Sequence, residues 1–255
     1  VEPWTSLDSP NRFKEFNSIE GLMEFVEKLR DLGGKPVGVK IVIGSKEEAV
    51  EFVRTLADLD KIPDFISIDG AEGGTGATYQ EMADSLGLPI FSGILILDQT
   101  LRKYGLRDEI KIIASGMLAT ANKMAVALSL GADLIYIARA AMNTVGCINA
   151  GKCHTNLCPV GITSHLPHLE AGVVVEEKKF RTANYLMTMR EGLFMLGASC
   201  GIPSPSKFSK KHVVLRTADN DVKKFTDYVE ETASPHDAHV EYIVKHEERH
   251  ELVNS

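Results

Sequence analysis

The chain has 255 residues, 44% of them hydrophobic and 25% charged, with a formal net charge of -7. Such fractions belong to a folded domain and exclude a disordered segment, a collagen-like repeat or a disulfide mini-scaffold. The acidic balance leaves no basic stripe for a nucleic acid, and no apolar run approaches the roughly 18–20 residues that span a bilayer. The first residues carry no charged-then-greasy export pattern, so a cytoplasmic protein with no membrane and no nucleic-acid partner is expected.

In chain order, a helix is predicted over 18–32, with Asn17 and Glu20 as a capping pair and Gly33-Gly34 as its stop. Val37–Ile43 is a short β-branched run, the pattern of a buried parallel strand, and ends at Gly44. Ser45–Glu48 then forms a capping box for a helix carrying Val50, Val53, Leu56 and Ala57. A second strand is read at Phe65–Asp69, followed by a glycine-rich loop from Gly70 to Gly76. A third, Ile110–Ala114, runs into Ser115-Gly116. Thr120 caps a helix from Ala121 to Leu130 that Gly131 ends, and a fourth strand, Leu134–Ala138, leads to Arg139. Beyond it a helix is predicted around Phe180–Leu196, with Met187, Met189 and Met195 as core residues. From Asp219 onward the chain is charged and helical at best, and its His236, His239, His246 and His250 read as solvated surface.

Alternating strand and helix at this spacing implies right-handed βαβ units and a parallel sheet. The polar and glycine-rich features all follow a strand's carboxyl end, where α/β barrels and open α/β sheets gather their sites. A barrel needs eight strands and only four are convincing. The expected α/β architecture is therefore a half barrel over residues 1–200, with a polar, partly helical tail over 201–255. Half a barrel leaves sheet edges and an apolar face open, so the chain is expected to be a fragment or to associate until the barrel is complete.

Three cysteines, Cys147, Cys153 and Cys158, crowd into one loop. In a reducing cytosol such a cluster points to metal, and thiolates suit zinc or an iron–sulfur centre. Zinc would take a fourth ligand from His154 or Cys200, but the short C-x2-C knuckle is missing, and Pro159 after the last cysteine is a habit of iron–sulfur loops. Three buried, unliganded thiols are the plain alternative, and Cys200 reads as a packing residue. Ser115-Gly116 and Ala138-Arg139 lie where barrels bind phosphate, with backbone N–H groups and an Arg fork both suited to a dianion. The loop Asp69–Gly76 lets backbone approach a ligand closely, although it lacks the G-x-G-x-x-G dinucleotide pattern. Lys40, a lone charge in an apolar strand, is read as aiming its ammonium at an anion at the strand mouth.

Together, Asp69–Gly76, Ile112–Gly116 and above all the segment from Gly146-Cys147 through Cys153-His-Thr-Asn-Leu-Cys158-Pro159-Val160-Gly161 resemble the FMN-binding domain of glutamate synthase. They resemble most the stand-alone FMN-binding members of that family in bacteria. The resemblance covers roughly Phe16 to Ala198. It implies strands five to eight of a (β/α)8 TIM barrel, FMN at the barrel mouth, and a 3Fe–4S cluster on Cys147, Cys153 and Cys158. By the same resemblance Ser115, Gly116, Ala138 and Arg139 cradle the FMN phosphate. Lys40 faces flavin and substrate as the catalytic residue, and Asp69, Gly73, Gly74, Thr75 and Gly76 lie beside the flavin. The implied reaction reduces a 2-imino acid, formed from 2-oxoglutarate and ammonia, to L-glutamate. It involves a small 2-oxo or 2-imino acid, an electron donor, and the other half of the barrel or a second copy of the chain. The residues after Lys40 depart from the acid-and-glycine loop of glutamate synthase itself. Two other readings remain: a barrel like IMP dehydrogenase with Cys147 as nucleophile, and a non-catalytic barrel segment that serves assembly.

Overall fold

The computed structural model describes residues 13–73, 84–216 and 221–225. Helix α1 spans Ile19–Gly33. Its N-cap is Ser18, one residue beyond the expected Asn17, with Ser18 Oγ accepting from the Gly21 N–H at 3.1 Å. Strand β1 is Val39–Val42, shorter at both ends than its apolar run. Helix α2 (Lys46–Leu59) starts on Ser45, whose hydroxyl accepts from Glu48 N at 3.2 Å. The Glu48 carboxylate accepts from Gly44 N at 2.9 Å, so the capping box reaches one residue further back than expected. Strand β2 is Phe65–Asp69, and helix α3, Ile90–Lys103, follows. After β3 (Lys111–Ser115), α4 (Ala121–Leu130) begins at Thr120. That hydroxyl meets Asn122 Oδ1 at 2.5 Å and makes no bond to the helix backbone.

Strand β4 is only Leu134–Ile135, because the chain turns early into the short helix α5, Arg139–Thr144. A one-turn helix α6 (Pro167–Glu170) precedes α7, which runs 25 residues from Val175 to Ser199. The methionine reading is corrected here. Met187 and Met195 lie on the exposed side of α7, and only Met189 packs against the core. Cys200, expected inside, is exposed at the end of α7. Strands β5 (Val214–Arg216) and β6 (Val222–Lys224) pair antiparallel, so Val222–Lys224 is extended where the charged sequence suggested helix. Burial explains this: Val213 and Phe225 flank the pair, Phe225 N donates to Val213 O at 2.9 Å, and both side chains enter the core. Residues 226–255, with the four tail histidines, lie outside the described residues.

The sheet order is β1-β2-β3-β4, every neighbour parallel, with Lys40 opposite Ser67, Ser67 opposite Ile113 and Ile113 opposite Leu134. A doubly wound sheet would reverse its order at a switch point, whereas this one advances without reversal as a barrel wall does. The four strands are thus an arc of a (β/α) barrel. Alternation splits the sheet into two faces. Val39, Ile66, Ile68, Ile112 and Ala114 point toward the helices and join Val53, Leu56, Ile94 and Leu97 in one core. The opposite face carries Lys40, Val42, Ser67, Asp69, Ile113, Ser115 and Leu134, and there Val42 and Leu134 are more than half exposed. Among the described residues, β1 and β4 each pair along one edge only, and no helix is long and apolar enough to cross a membrane.

Candidate functional site

At the carboxyl ends of the four parallel strands lies a cleft of about 540 Å³. Each strand delivers residues to it: Lys40 and Val42 from β1, Asp69 and Gly70 from β2, Ser115 to Ala119 from β3, and Tyr136 to Ala140 from the end of β4. Of the residues singled out in the sequence, Lys40, Asp69, Gly73, Ser115, Gly116, Ala138 and Arg139 all line this one space. Gly74, Thr75 and Gly76 lie outside the described residues.

Local chemistry explains the shape. Gly70 N donates to Ser115 O at 2.8 Å, which holds the ends of β2 and β3 together, and Leu88 N donates to Ile43 O at 2.8 Å, which folds the chain back over β1. A Cβ at Gly70 would come within 2.1 Å of Glu72 Oε2 and 2.7 Å of Ile90 N, so only glycine admits the Glu72 carboxylate at this point. That carboxylate accepts from Ile90 N at 3.1 Å, at the start of α3, where Pro89 supplies no side-chain cap. Gly116 adopts φ +149°, and Met117 beside it holds φ +48°, a left-handed conformation uncommon for methionine. Tyr185 Oη on α7 donates to Ala119 O at 2.9 Å and props the loop that forms this wall, and burial raises its phenol above the usual tyrosine range.

Two ion pairs stand in the cleft. Lys40 Nζ meets Asp69 Oδ2 at 2.8 Å, with the lysine more than half exposed. The Arg139 guanidinium binds the Asp84 carboxylate through both fork nitrogens and donates also to the Glu72 carbonyl. Hydrogen bonding to Arg139 holds the Asp84 carboxyl below its usual range against the opposing effect of desolvation. Sequence reasoning missed Glu72, Asp84, Met117 and Tyr185. Glu72 did leave a trace, as the one charged residue inside the glycine loop Gly70–Gly76. Asp84 left none, because its partner lies 55 residues away.

The cysteine loop begins just past α5, the helix that leads from Arg139 at the cleft toward Cys147. Left-handed Asn149, Gly151, Asn156 and Gly161 fold the loop, and His165 N donates to Asn156 Oδ1 at 2.7 Å. Cys158 is buried, Cys147 half-buried and Cys153 exposed, and none of the three is in a disulfide. The backbone N–H of Thr163 acts against burial and, with the N–H groups of Val160 and Ile162, holds the Cys158 thiol below its usual range. Among the described residues no three His, Cys, Asp or Glu side chains converge as ligands of a single ion, so the zinc arrangement with His154 or Cys200 is not formed. The same holds for Cys147, Cys153 and Cys158, which share one loop but are not gathered round a single point; only their donor chemistry, three thiols with N–H groups beside one sulfur, is of the kind an iron–sulfur cluster takes. A hydrogen bond of 2.7 Å between Thr144 and Thr182 ties α5 to α7.

Comparison with known proteins gives the family of the chain. Residues 1–203 match the family described as "Conserved region in glutamate synthase". The chain is 50% identical over 234 residues to the glutamate synthase large subunit-like protein YerD of Bacillus subtilis, covering 92% of this chain and 45% of that protein. It is 37% identical over 198 residues to an archaeal glutamate synthase (NADPH) of Methanocaldococcus jannaschii, covering 77% and 38%. Among solved structures, a flavocytochrome b2 aligns with a TM-score of 0.45 at 15% identity, covering 84% of this chain and 42% of the other. The chain therefore spans less than half the length of either of these curated relatives. With a parallel barrel arc, a cleft at its strand ends and the matched region over residues 1–203, the chain belongs to the glutamate synthase family.

Proposed function

We propose that this chain carries the second half of a glutamate synthase-type flavin site, with FMN in the strand-end cleft and a 3Fe–4S cluster on Cys147, Cys153 and Cys158. One observation carries the reading: seven residues singled out by the resemblance come from four separate strand ends and line a single cleft. In this reading the backbone at Ser115-Gly116 and Ala138, with the Arg139 fork, holds the phosphate. Gly73, followed in the sequence by Gly74, Thr75 and Gly76, lets the backbone come close to the ring system, while the space beside Gly70 and Gly116 is taken by Glu72 and Ile90.

FMN, when bound, supplies the two-electron reduction of the imino carbon, and the cluster relays electrons from a donor. The chain's own residues bind and orient. Lys40, placed by β1 and anchored on Asp69 at 2.8 Å, presents a positive charge where the flavin N1/O2 edge or a substrate carboxylate needs one. Tyr185 and Glu72 keep the walls in place through Ala119 O and Ile90 N. The substrate in this reading is a 2-imino acid formed from 2-oxoglutarate and ammonia, and the product is L-glutamate. The partner proposed for the bare sheet face is the remaining half of the barrel, from the same polypeptide or a second copy of the chain. The exposed Val42 and Leu134 and the two half-paired edge strands support this.

The test is cofactor analysis of the purified protein with and without a co-expressed first barrel half. FMN uptake with iron and acid-labile sulfide in a ratio of about 3:4 is expected. Protein that takes up neither under both conditions overturns the proposal. A single iodoacetamide-reactive Cys147 without iron would favour the cysteine-nucleophile reading instead.

A further inference from the structure

The phosphate-binding arginine of the proposed site is already engaged. Arg139 Nη1 donates to Asp84 Oδ2 at 2.9 Å, while Nη2 donates to the other carboxylate oxygen and to the Glu72 carbonyl. A carboxylate in this two-pronged seat takes the place that a phosphate takes on an arginine fork. Asp84 is set there by its backbone. It holds φ +62° and donates its N–H to Gly73 O at 3.0 Å, so the carboxylate reaches Arg139 from the same loop that approaches the ligand. The pair is not sealed in the interior: the side chains are 41% and 50% exposed, which leaves it open to exchange with an anion from solvent.

We propose that Asp84 sets the specificity of this subsite by holding the Arg139 fork until a phosphate monoester dianion displaces it. A ligand with one charge or none competes poorly for a fork already neutralised, whereas a dianion with three oxygens gains more from the same two donors. The apparent affinity for the dianion is lowered by the fraction of the chain in which Asp84 holds the fork. The inference deepens the flavin reading and rests on a phosphate-bearing ligand at Arg139.

The experiment compares the wild-type chain with Asp84→Asn, titrated with FMN and with riboflavin, which lacks the phosphate. Asparagine is at home in the left-handed region, so the turn survives the change; Asp84→Ala serves as the second variant. Both variants are expected to bind FMN about fivefold more tightly than wild type, with riboflavin binding unchanged. FMN binding that is unchanged or weaker overturns the inference, because Asp84 would then be inert or would orient Arg139 for the ligand. Equal tightening for riboflavin also overturns it, since the effect would not concern the phosphate. A second measurement separates this inference from the flavin reading: the rise in melting temperature caused by inorganic phosphate alone. If FMN binds no form of the protein yet phosphate stabilises Asp84→Asn more than wild type, the flavin reading falls and the role of Asp84 stands. If phosphate stabilises the variant no more than wild type, the role of Asp84 falls too.

Discussion

The two ends of the sheet use their charges differently. At the amino ends of the strands the same clasp is built twice. Asp64, just before β2, accepts from Arg30 Nε at 3.1 Å and from Val37 N at 2.7 Å. Asp133, just before β4, accepts from Arg107 Nη2 at 3.0 Å and from Ile112 N at 2.8 Å. Each arginine also donates to backbone carbonyls, Arg30 to Ile62 O and Arg107 to Ile110 O and Gly131 O. Between them Asp98, wholly buried on α3, faces Arg102 Nε at 3.0 Å, Arg107 Nε at 2.8 Å and Lys210 Nζ at 2.9 Å. At the carboxyl ends the pairs Lys40–Asp69 and Arg139–Asp84 are half open to solvent, amid exposed Met117 and Tyr136. Charges at the first end are spent within the fold, and those at the second remain available to a ligand. This is the division expected of a barrel, stability below and chemistry above.

Breaking that division at its strongest point means removing Asp98. Asp98→Ala leaves three cations around an empty buried position and is expected to destabilise the chain by about 3–5 kcal/mol, read as a lowered denaturant midpoint. The same site makes stability depend on pH. Burial is the largest influence on Asp98 and raises its carboxyl, but Arg102, Lys210 and Arg107 together outweigh it and hold the carboxyl below 3.8. A folded-state value below the unfolded one gives a contribution that is fully present above about pH 4 and lost as pH falls through the lower, folded value. The gap in stability between wild type and Asp98→Asn is therefore expected to close in strong acid. A gap that persists there would show that the aspartate acts by shape and not by charge.

The twin clasps allow an internal control. Asp64→Ala and Asp133→Ala each strand a backbone N–H and take one partner from an arginine, and each is expected to cost about 1–3 kcal/mol. Similar losses would confirm that the two clasps are equivalent, while a much smaller loss at Asp64 would mark that end of the arc as loose. Tyr185→Phe, which frees Ala119 O on the cleft wall, is expected to cost about 1 kcal/mol and to weaken ligand binding in the same measurement series. The smallest stability effect belongs to Lys40→Met, expected within about 0.5 kcal/mol of wild type, while on the proposed function ligand reduction is lost. If Lys40→Met unfolds the chain instead, the two ends do not differ as described.

The sequence showed best what local spacing dictates. Strand Phe65–Asp69 and helix Ala121–Leu130 are read to the residue, since alternation and caps act over a few positions. Helix α3 escaped the sequence reading although apolar and polar residues do separate along it; its buried surface runs from Ile90 to Leu101 and takes in Ser92, Asp98 and Thr100. The methionines of α7 misled in the opposite way: helical spacing shows which residues share a face, but not whether that face looks inward. Strand β4 was overestimated because the apolar run continues through Ile137 while the backbone already turns toward Arg139. Within the site, each strand-end residue could be found from its place after an apolar run. The pairing of Asp84 with Arg139 could not, because a contact between residues 55 apart has no local signature.

Helix α7 touches both neighbourhoods that the chain sets side by side. Thr182 bonds the short helix that leads to Cys147, and Tyr185, less than one turn further on, bonds the wall of the cleft. A single stiff rod is thus fastened at two adjacent points, to the end of a short helix and to the irregular wall of the cleft. The spacing of these two anchors is set by helical pitch rather than by the slack of the chain around them. Any process that depends steeply on separation, as the passage of electrons does, inherits its tolerance from that rod.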